Sequence, residues 1–480
     1  KALQEATSGP DARAAGVQVA FLRNLLLRVP QYRRDADVVR TPVVFVGDPF
    51  LRFLKLPAPR GEPSEPDTKT SFTAQPLAGI PSTGVLWVNA VYLDDSGSAT
   101  VLWADTLGIH STDGATIPVA ENTTGSPFRP VNVALADFNY DFKNDLIVAG
   151  NTGLRIEEQE TPRNFTDVTA KTRLPEAIVQ GKYSGVWPFD VDLDGDLDLV
   201  LGVPGKAPQV LRNNADGTFG LLNPFPGAVG TVSFATADID GDGTPDVAMV
   251  SEDGHLSVFL NERFGRFTAR PVPASLRDGV VAVAAGDVNG DGAPDFVVLK
   301  ADGSIVRLSD KDGTSWDTTP LAQGATQQPG AFFSLVDLDN NGSLDLLLSD
   351  GEIFLSKPHG VFLALAPSPH LQLASVAGVN QNGRLDVLGL LDGRPTRLAN
   401  HGAKNYRWQT IRTRAANAHG DQRINSFGIG GEIEIRAGLL AEKQIITSPV
   451  LHFGLGEQQG VDLARIVWPN GLVQAEFELN

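Results

Sequence analysis

The chain has 480 residues with 42% hydrophobic content, enough for a large core and a small second domain, and no cysteine, so no disulfide frames it. A formal net charge of -18 argues against nucleic acid or an anionic membrane surface as the partner. No signal peptide is visible; Lys1 is no initiator, and the expectation is that a leader has been removed.

Residues 1–70 read as a helical segment followed by a proline-rich linker. Ser8 and Pro10 form a helix start, and Val17, Phe21, Leu22, Leu25, Leu26 and Val29 make an apolar stripe ended by Pro30. Arg23, Asn24 and Arg28 interrupt it, so it is too short to span a membrane. It faintly resembles the closing helix of a tetratricopeptide repeat, and its expected role is packing on the rest of the chain or on a partner. Residues 55–70, "KLPAPRGEPSEPDTKT", should run extended.

Acidic loops then recur. In "DVDLDGDLDLVLG", residues 190–202, five aspartates crowd into nine residues and run straight into apolar ones. Alternate residues of an extended chain point the same way, so carboxylates about 5 Å apart should repel. A solvated acidic turn is one reading. The other is a hard cation: oxygens at loop positions 1, 3 and 5, a glycine at 6 and a closing carboxylate cage Ca²⁺. Asp190, Asp192, Asp194 and Asp198, with Gly195, fit that order. So do Asp137, Asn139, Asp141 and Asp145; Asp238, Asp240, Asp242 and Asp246; Asp287, Asn289, Asp291 and Asp295; and Asp337, Asp339, Asn341 and Asp345. Position 7 reads Lys143, Asp196, Thr244, Ala293 and Ser343, a mixture in which only the backbone carbonyl can be the ligand. Position 12 is apolar throughout (Val148, Leu201, Met249, Val298, Leu348), which excludes an EF-hand.

The first positions fall 53, 48, 49 and 50 residues apart, a period that means a solenoid, a propeller or an array. Two worn copies, "YLDDSGSAT" near Asp94 and "GVNQNGRLD" near Asn380, flank the five. Each loop leads into a continuous apolar run ("DLIVAG", "DVAMV", "DFVVL", "DLLLS"), read as a strand buried on both faces. Residues 231–273 show a whole unit of four strands, with turns at Asp253-Gly254 and Phe264-Gly265. Seven units of four strands predict an all-β, seven-bladed β-propeller over 71–400 with calcium-binding loops, a short helical N-terminal segment, and a small C-terminal β domain over 401–480. "SFTAQPL" (71–77) echoes the fourth strand "RFTARPV" (266–272), so the Phe72 segment is expected to supply the missing outer strand of the last blade.

These repeats resemble the FG-GAP/VCBS family, calcium-loop propeller repeats also found in integrin α heads. The resemblance implies about five Ca²⁺ sites. In the first copy Phe142 replaces the glycine and Lys143 adds a positive charge, so that site is expected to be weakest and the Asp190 loop tightest. In the tail, "FGIGGEIEIRAG" (427–438), "LHFGLG" (451–456) and "VDLARIVWPNG" (461–471) resemble the ASPIC/UnbV domain, which commonly follows such repeats in bacterial proteins and in cartilage acidic proteins. Ile433, Ile435, Ile466 and Trp468 alternate with polar residues, as strands do, and His452 is read as structural.

No catalytic constellation is found: the seven histidines are scattered, and neither a metalloprotease helix motif, a phosphate loop nor a nucleophile elbow occurs. Sites of this kind bind Ca²⁺ at roughly 10⁻⁴ to 10⁻³ M, which places the protein outside the cytoplasm, in the periplasm, at the cell surface or secreted. The expected function is a noncatalytic scaffold or accessory subunit of an envelope complex, binding another protein. A glycan-binding propeller is the alternative, and a carbohydrate-active enzyme a further one. The partner face is expected opposite the calcium loops, on Arg129, Lys182, Tyr183, Arg277, Gln327 and His370.

Overall fold

The computed structural model describes residues 61–94, 96–118, 129–380, 382–415 and 424–479. The expected N-terminal helix lies outside them. The described residues of 61–239 and 243–479 form one compact unit, and no helix among the described residues is long and apolar enough to cross a membrane.

Every apolar run after an acidic loop is a strand: Asp145–Gly150, Asp198–Gly202, Asp246–Ser251, Asp295–Lys300 and Asp345–Leu348. Each is the second strand of a four-stranded antiparallel sheet in sequential order. Leu199, Val200 and Leu201 have no exposure because neighbouring sheets cover both faces. This two-sided burial explains the unbroken apolar sequence. The unit read at 231–273 has its four strands at Thr231–Ala237, Asp246–Ser251, Leu256–Asn261 and Phe267–Arg270. Its tight turns place Gly254 at φ 83° and Gly265 at φ 69°, a region where glycine carries little steric cost.

Seven such four-stranded sheets occur among the described residues, apart from that of the C-terminal domain. Their first strands touch in order. Val133–Ala136 meets Gly185–Phe189, followed by Thr231–Ala237, Val280–Gly286, Phe333–Val336, Gln372–Ala377 and Trp87–Val91. The sheets therefore stand around an axis, as the blades of a propeller do. The last sheet takes three strands from 372–400 and its outer strand from Phe72–Pro76, with Phe72 opposite Asn400 and Pro76 opposite Thr396. A strand from before the first sheet thus covers what would be an open edge.

The C-terminal domain has a four-stranded sheet of its own, ordered Leu440–Ile445, Glu432–Ala437, Val461–Val467 and Val473–Leu479, beside the pair Arg407–Arg412 and Val450–Gly456. Ile433 and Ile435 are fully buried, and Trp468 is buried too. They share a core with Phe138 and Leu197 beneath the first and second complete acidic loops. The domain consequently sits on the loop face, and its 445–452 turn enters a channel of about 640 Å³ between the first strands.

Candidate metal centre and the opposite face

Each acidic loop is a nest of side chain to backbone hydrogen bonds, set up by the sequence order Asp-x-Asp/Asn-x-Asp/Asn. The position 1 aspartate turns back to accept the position 6 N–H: Asp190 from Gly195 at 3.0 Å, Asp287 from Gly292 at 2.7 Å, Asp337 from Gly342 at 2.7 Å and Asp137 from Phe142 at 2.8 Å. Gly243 donates likewise to Asp238 at 2.9 Å, and Asp242 N–H donates to Asp240 at 3.0 Å. Position 3 accepts from the position 5 N–H, as in Asn139 to Asp141 and Asn289 to Asp291. Position 7 also donates its N–H, Lys143, Asp196, Ala293 and Ser343 each to position 5, which leaves their carbonyls for other work. Thr244 binds the Asn261 carbonyl through its hydroxyl.

Sequence reasoning saw the position 6 bend and missed a second one. Position 4 is left-handed as well, at φ 60° for Tyr140 and Leu193 and 64° for Asn340. The signal was present: Gly241 and Gly290 occupy the same place in the other two loops. The closing aspartate was also under-read. Both its oxygens brace the sheet: Asp198 accepts Val191 N–H and Asn213 N–H, and Asp345 accepts Leu338 N–H and Ser356 N–H. At the end of the third strand an amide then reaches into the preceding blade, Gln159 to the Leu93 carbonyl, Asn213 to Phe138 and Asn400 to Leu338. A recurring amide some 14 or 15 residues after the closing aspartate was the available clue.

The electrostatics ask for a positive charge. Carboxylate oxygens of Asp190, Asp192 and Asp194 lie within 4.8 Å of one another, as do those of Asp337, Asp339 and Asp345. Burial, then repulsion from Asp194 and Asp192, pushes Asp190 up to about 8; burial pushes Asp198 up to about 9, and Asp145 and Asp295 up to about 7. Asp190 Oδ1 and Asp192 Oδ1 are buried without a hydrogen-bond partner, which is what oxygens turned toward a cation look like when hydrogen bonds alone are counted. The loops therefore fit Ca²⁺. Basic residues already answer some of the charge. Arg212 Nε sits 2.6 Å from Asp192 and its Nη2 bonds Asp194, Lys143 pairs with Asp141 at 2.5 Å, and Arg397 takes Asp386 of the last worn copy at 2.8 Å. Phe142, in the loop lacking glycine, adopts φ 63° and packs edge-on against Phe427 of the C-terminal domain.

On the opposite face the structure brings three of the six expected partner residues together. Arg129, Gln327 and His370 line one cavity of about 760 Å³ with Trp187 and Phe234, which stack at 5.6 Å. Arg129 is largely desolvated, which lowers its pKa, and donates to the Ser184 carbonyl at 3.2 Å. Gln327 holds Asp350 at 2.8 Å. Lys182 and Arg277 are exposed elsewhere. Tyr183 is a correction: at 3% exposure, with its hydroxyl on the Ile178 carbonyl, it packs the turn beneath it and offers nothing to a partner. Its position next to Lys182 read as surface because a buried tyrosine with a local backbone acceptor has no mark of its own in sequence.

Residues 190–249, 238–298 and 287–348 match the FG-GAP-like repeat, and 421–479 match ASPIC and UnbV. No curated protein matches the chain. Among solved structures it is similar to an Agrocybe aegerita lectin that recognises non-reducing terminal N-acetylglucosamine, at 19% identity over 60% of this chain and 81% of that one, TM-score 0.41. It is also similar to BBS1N in complex with ARL6DN, at 14% identity over 71% and 97%, TM-score 0.43, and to the Photorhabdus luminescens Tc holotoxin pore, at 16% over 85% and 20%, TM-score 0.35. Likeness at these scores carries no functional argument.

Proposed function

We propose, from the premise that this chain carries FG-GAP-like repeats followed by an ASPIC and UnbV domain, that it is a noncatalytic, calcium-stabilised propeller which works outside the cytoplasm by binding another protein. Aspartates at positions 1, 3, 5 and 9 of each loop would hold the ion, with Asn139, Asn289 and Asn341 giving amide oxygens. Bound Ca²⁺ supplies charge and fixed coordination, and five ions carry +10, which leaves about -8. The weak affinity of such loops suits an extracellular calcium concentration.

One observation supports the choice of binding surface. The loop face is covered by the C-terminal domain, whereas the 760 Å³ cavity, which shares Trp187, Phe234 and Phe333 with the channel, is lined by Arg129, Gln327, His370 and paired aromatic rings. A desolvated guanidinium among aromatic rings is the composition of an interface anchor. Changing Arg129 and His370 together to alanine should abolish capture of the partner from a native envelope extract containing calcium, with the melting temperature unchanged. Undiminished capture would place the contact elsewhere. Saturable binding to a glycan array through the same residues would replace the protein partner by a sugar, and turnover of a glycan would overturn the noncatalytic reading.

A further inference from the structure

The Asp337 loop differs from the others in what lies across it. Asp337, Asp339, Asn341 and Asp345 are each at most 1% exposed. From one side Ser64 N–H donates to the Asn341 carbonyl at 2.9 Å and Asp67 N–H to Asp339 Oδ2 at 2.5 Å. From the C-terminal domain Gly456 N–H donates to the Asn340 carbonyl at 2.8 Å, and His452 Nε2 bonds Asn340 Oδ1 at 2.6 Å. Gly454 passes so close that a Cβ there would stand 2.0 Å from Asp337 Oδ2, and a Cβ on Gly342 would stand 2.8 Å from Leu440.

Three buried carboxylates meet in this loop, and among the described residues no lysine or arginine pairs with them, in contrast to Arg212, Lys143 and Arg397 at the other loops. A fourth acid lies on the strand that packs on this loop. Leu440 touches Gly342, and Glu442, two residues further along the same strand, shares its face. Glu442 is 4% exposed; one carboxylate oxygen takes Gln444 Nε2 at 2.5 Å, and the other is buried with no hydrogen-bond partner. Acids taken out of water with no lysine or arginine in contact are costly as anions, and a cation among them removes that cost.

We propose that the Asp337 loop and Glu442 form one inter-domain cation site, in which a calcium ion held by Asp337, Asp339 and Asp345 is walled from above by Glu442 and fastens the C-terminal sheet to the propeller. The site rests on the reading that the loops hold calcium. It adds that this ion, roofed by two segments of chain, leaves more slowly than the rest and holds a domain as well as a loop.

The full-length chain, loaded with calcium and mixed with excess chelator, should release one ion at least tenfold more slowly than the others, followed by fluorescence of a calcium dye. Hydrogen exchange across Leu440–Gly456 should rise with that slow phase. Glu442→Gln, which keeps the side-chain shape, should abolish the slow phase, whereas Asp192→Ala should remove one fast ion and leave the slow one. Uniform release in the wild type, or a slow phase untouched by Glu442→Gln, overturns the proposal while leaving calcium in the loops. A chain that binds no calcium by elemental analysis overturns both readings. The wild-type kinetics and exchange stand alone if the variant does not fold.

Discussion

At the scale of single residues, the acidic side chains divide by what answers their charge. Arg212 lies across Asp192 and Asp194, so the loop with the most carboxylates carries a built-in competitor for the metal. Arg212→Gln should destabilise the protein in chelator, because the aspartates then repel. It should also strengthen calcium binding at that loop several-fold, read by titration calorimetry. Unchanged affinity would show that the guanidinium swings clear when the ion binds. Glu157 lies outside the ligand sets, and burial followed by repulsion from Asp167 pushes it up to about 7 from 4.5. A raised carboxyl pKa means that the folded state prefers the proton. Its stabilising contribution is complete below pH 4.5 and lost as the pH rises through about 7. Glu157→Gln should therefore melt higher than wild type at pH 8, by on the order of 1 kcal/mol given partial water access, and show a flatter profile between pH 4.5 and 7 at constant calcium. An equal pH slope in both proteins would sink this assignment.

At the scale of the element, each loop is a pair of left-handed bends between two strands. Leu193 occupies the first at φ 60°, half-buried and outside the apolar clusters, whereas Gly195 occupies the second at φ 101°. Leu193→Gly should raise stability by about 0.5–1 kcal/mol, and Gly195→Ala should lower it by about 1–2 kcal/mol, in urea unfolding at saturating calcium. Stabilisation by both substitutions, or by neither, would mean that the metal and not the backbone sets the loop's conformation. The period of about 50 residues, the glycine and the apolar run made these loops and their strands legible, because every one of those features recurs along the chain itself. The amide struts of Gln159, Asn213 and Asn400 were not legible. A polar residue at a strand end is ordinary, and its acceptor in the neighbouring blade lies 62 to 75 residues away.

For the whole molecule, calcium should act as a cohesive force among blades. Chelation should lower the melting temperature and magnesium should restore little of it, since Mg²⁺ demands a tight octahedron and keeps its waters. A melting curve indifferent to chelator would remove calcium from the account. By itself the amino-acid sequence determined the repeated four-stranded sheets, the closing strand at Phe72 and the β character of the tail, because alternation, turn residues and loop spacing are local and recurrent. Tertiary structure alone decided that the C-terminal sheet covers the acidic face, that Tyr183 is buried, that Arg212 meets Asp192 and that Leu440 and Gly454 pack on the Asp337 loop. Apart from Tyr183, which its own turn buries, these depend on separate segments of chain coming together, where burial turns carboxylates that would be tolerable in water into groups that must be answered by a neighbour.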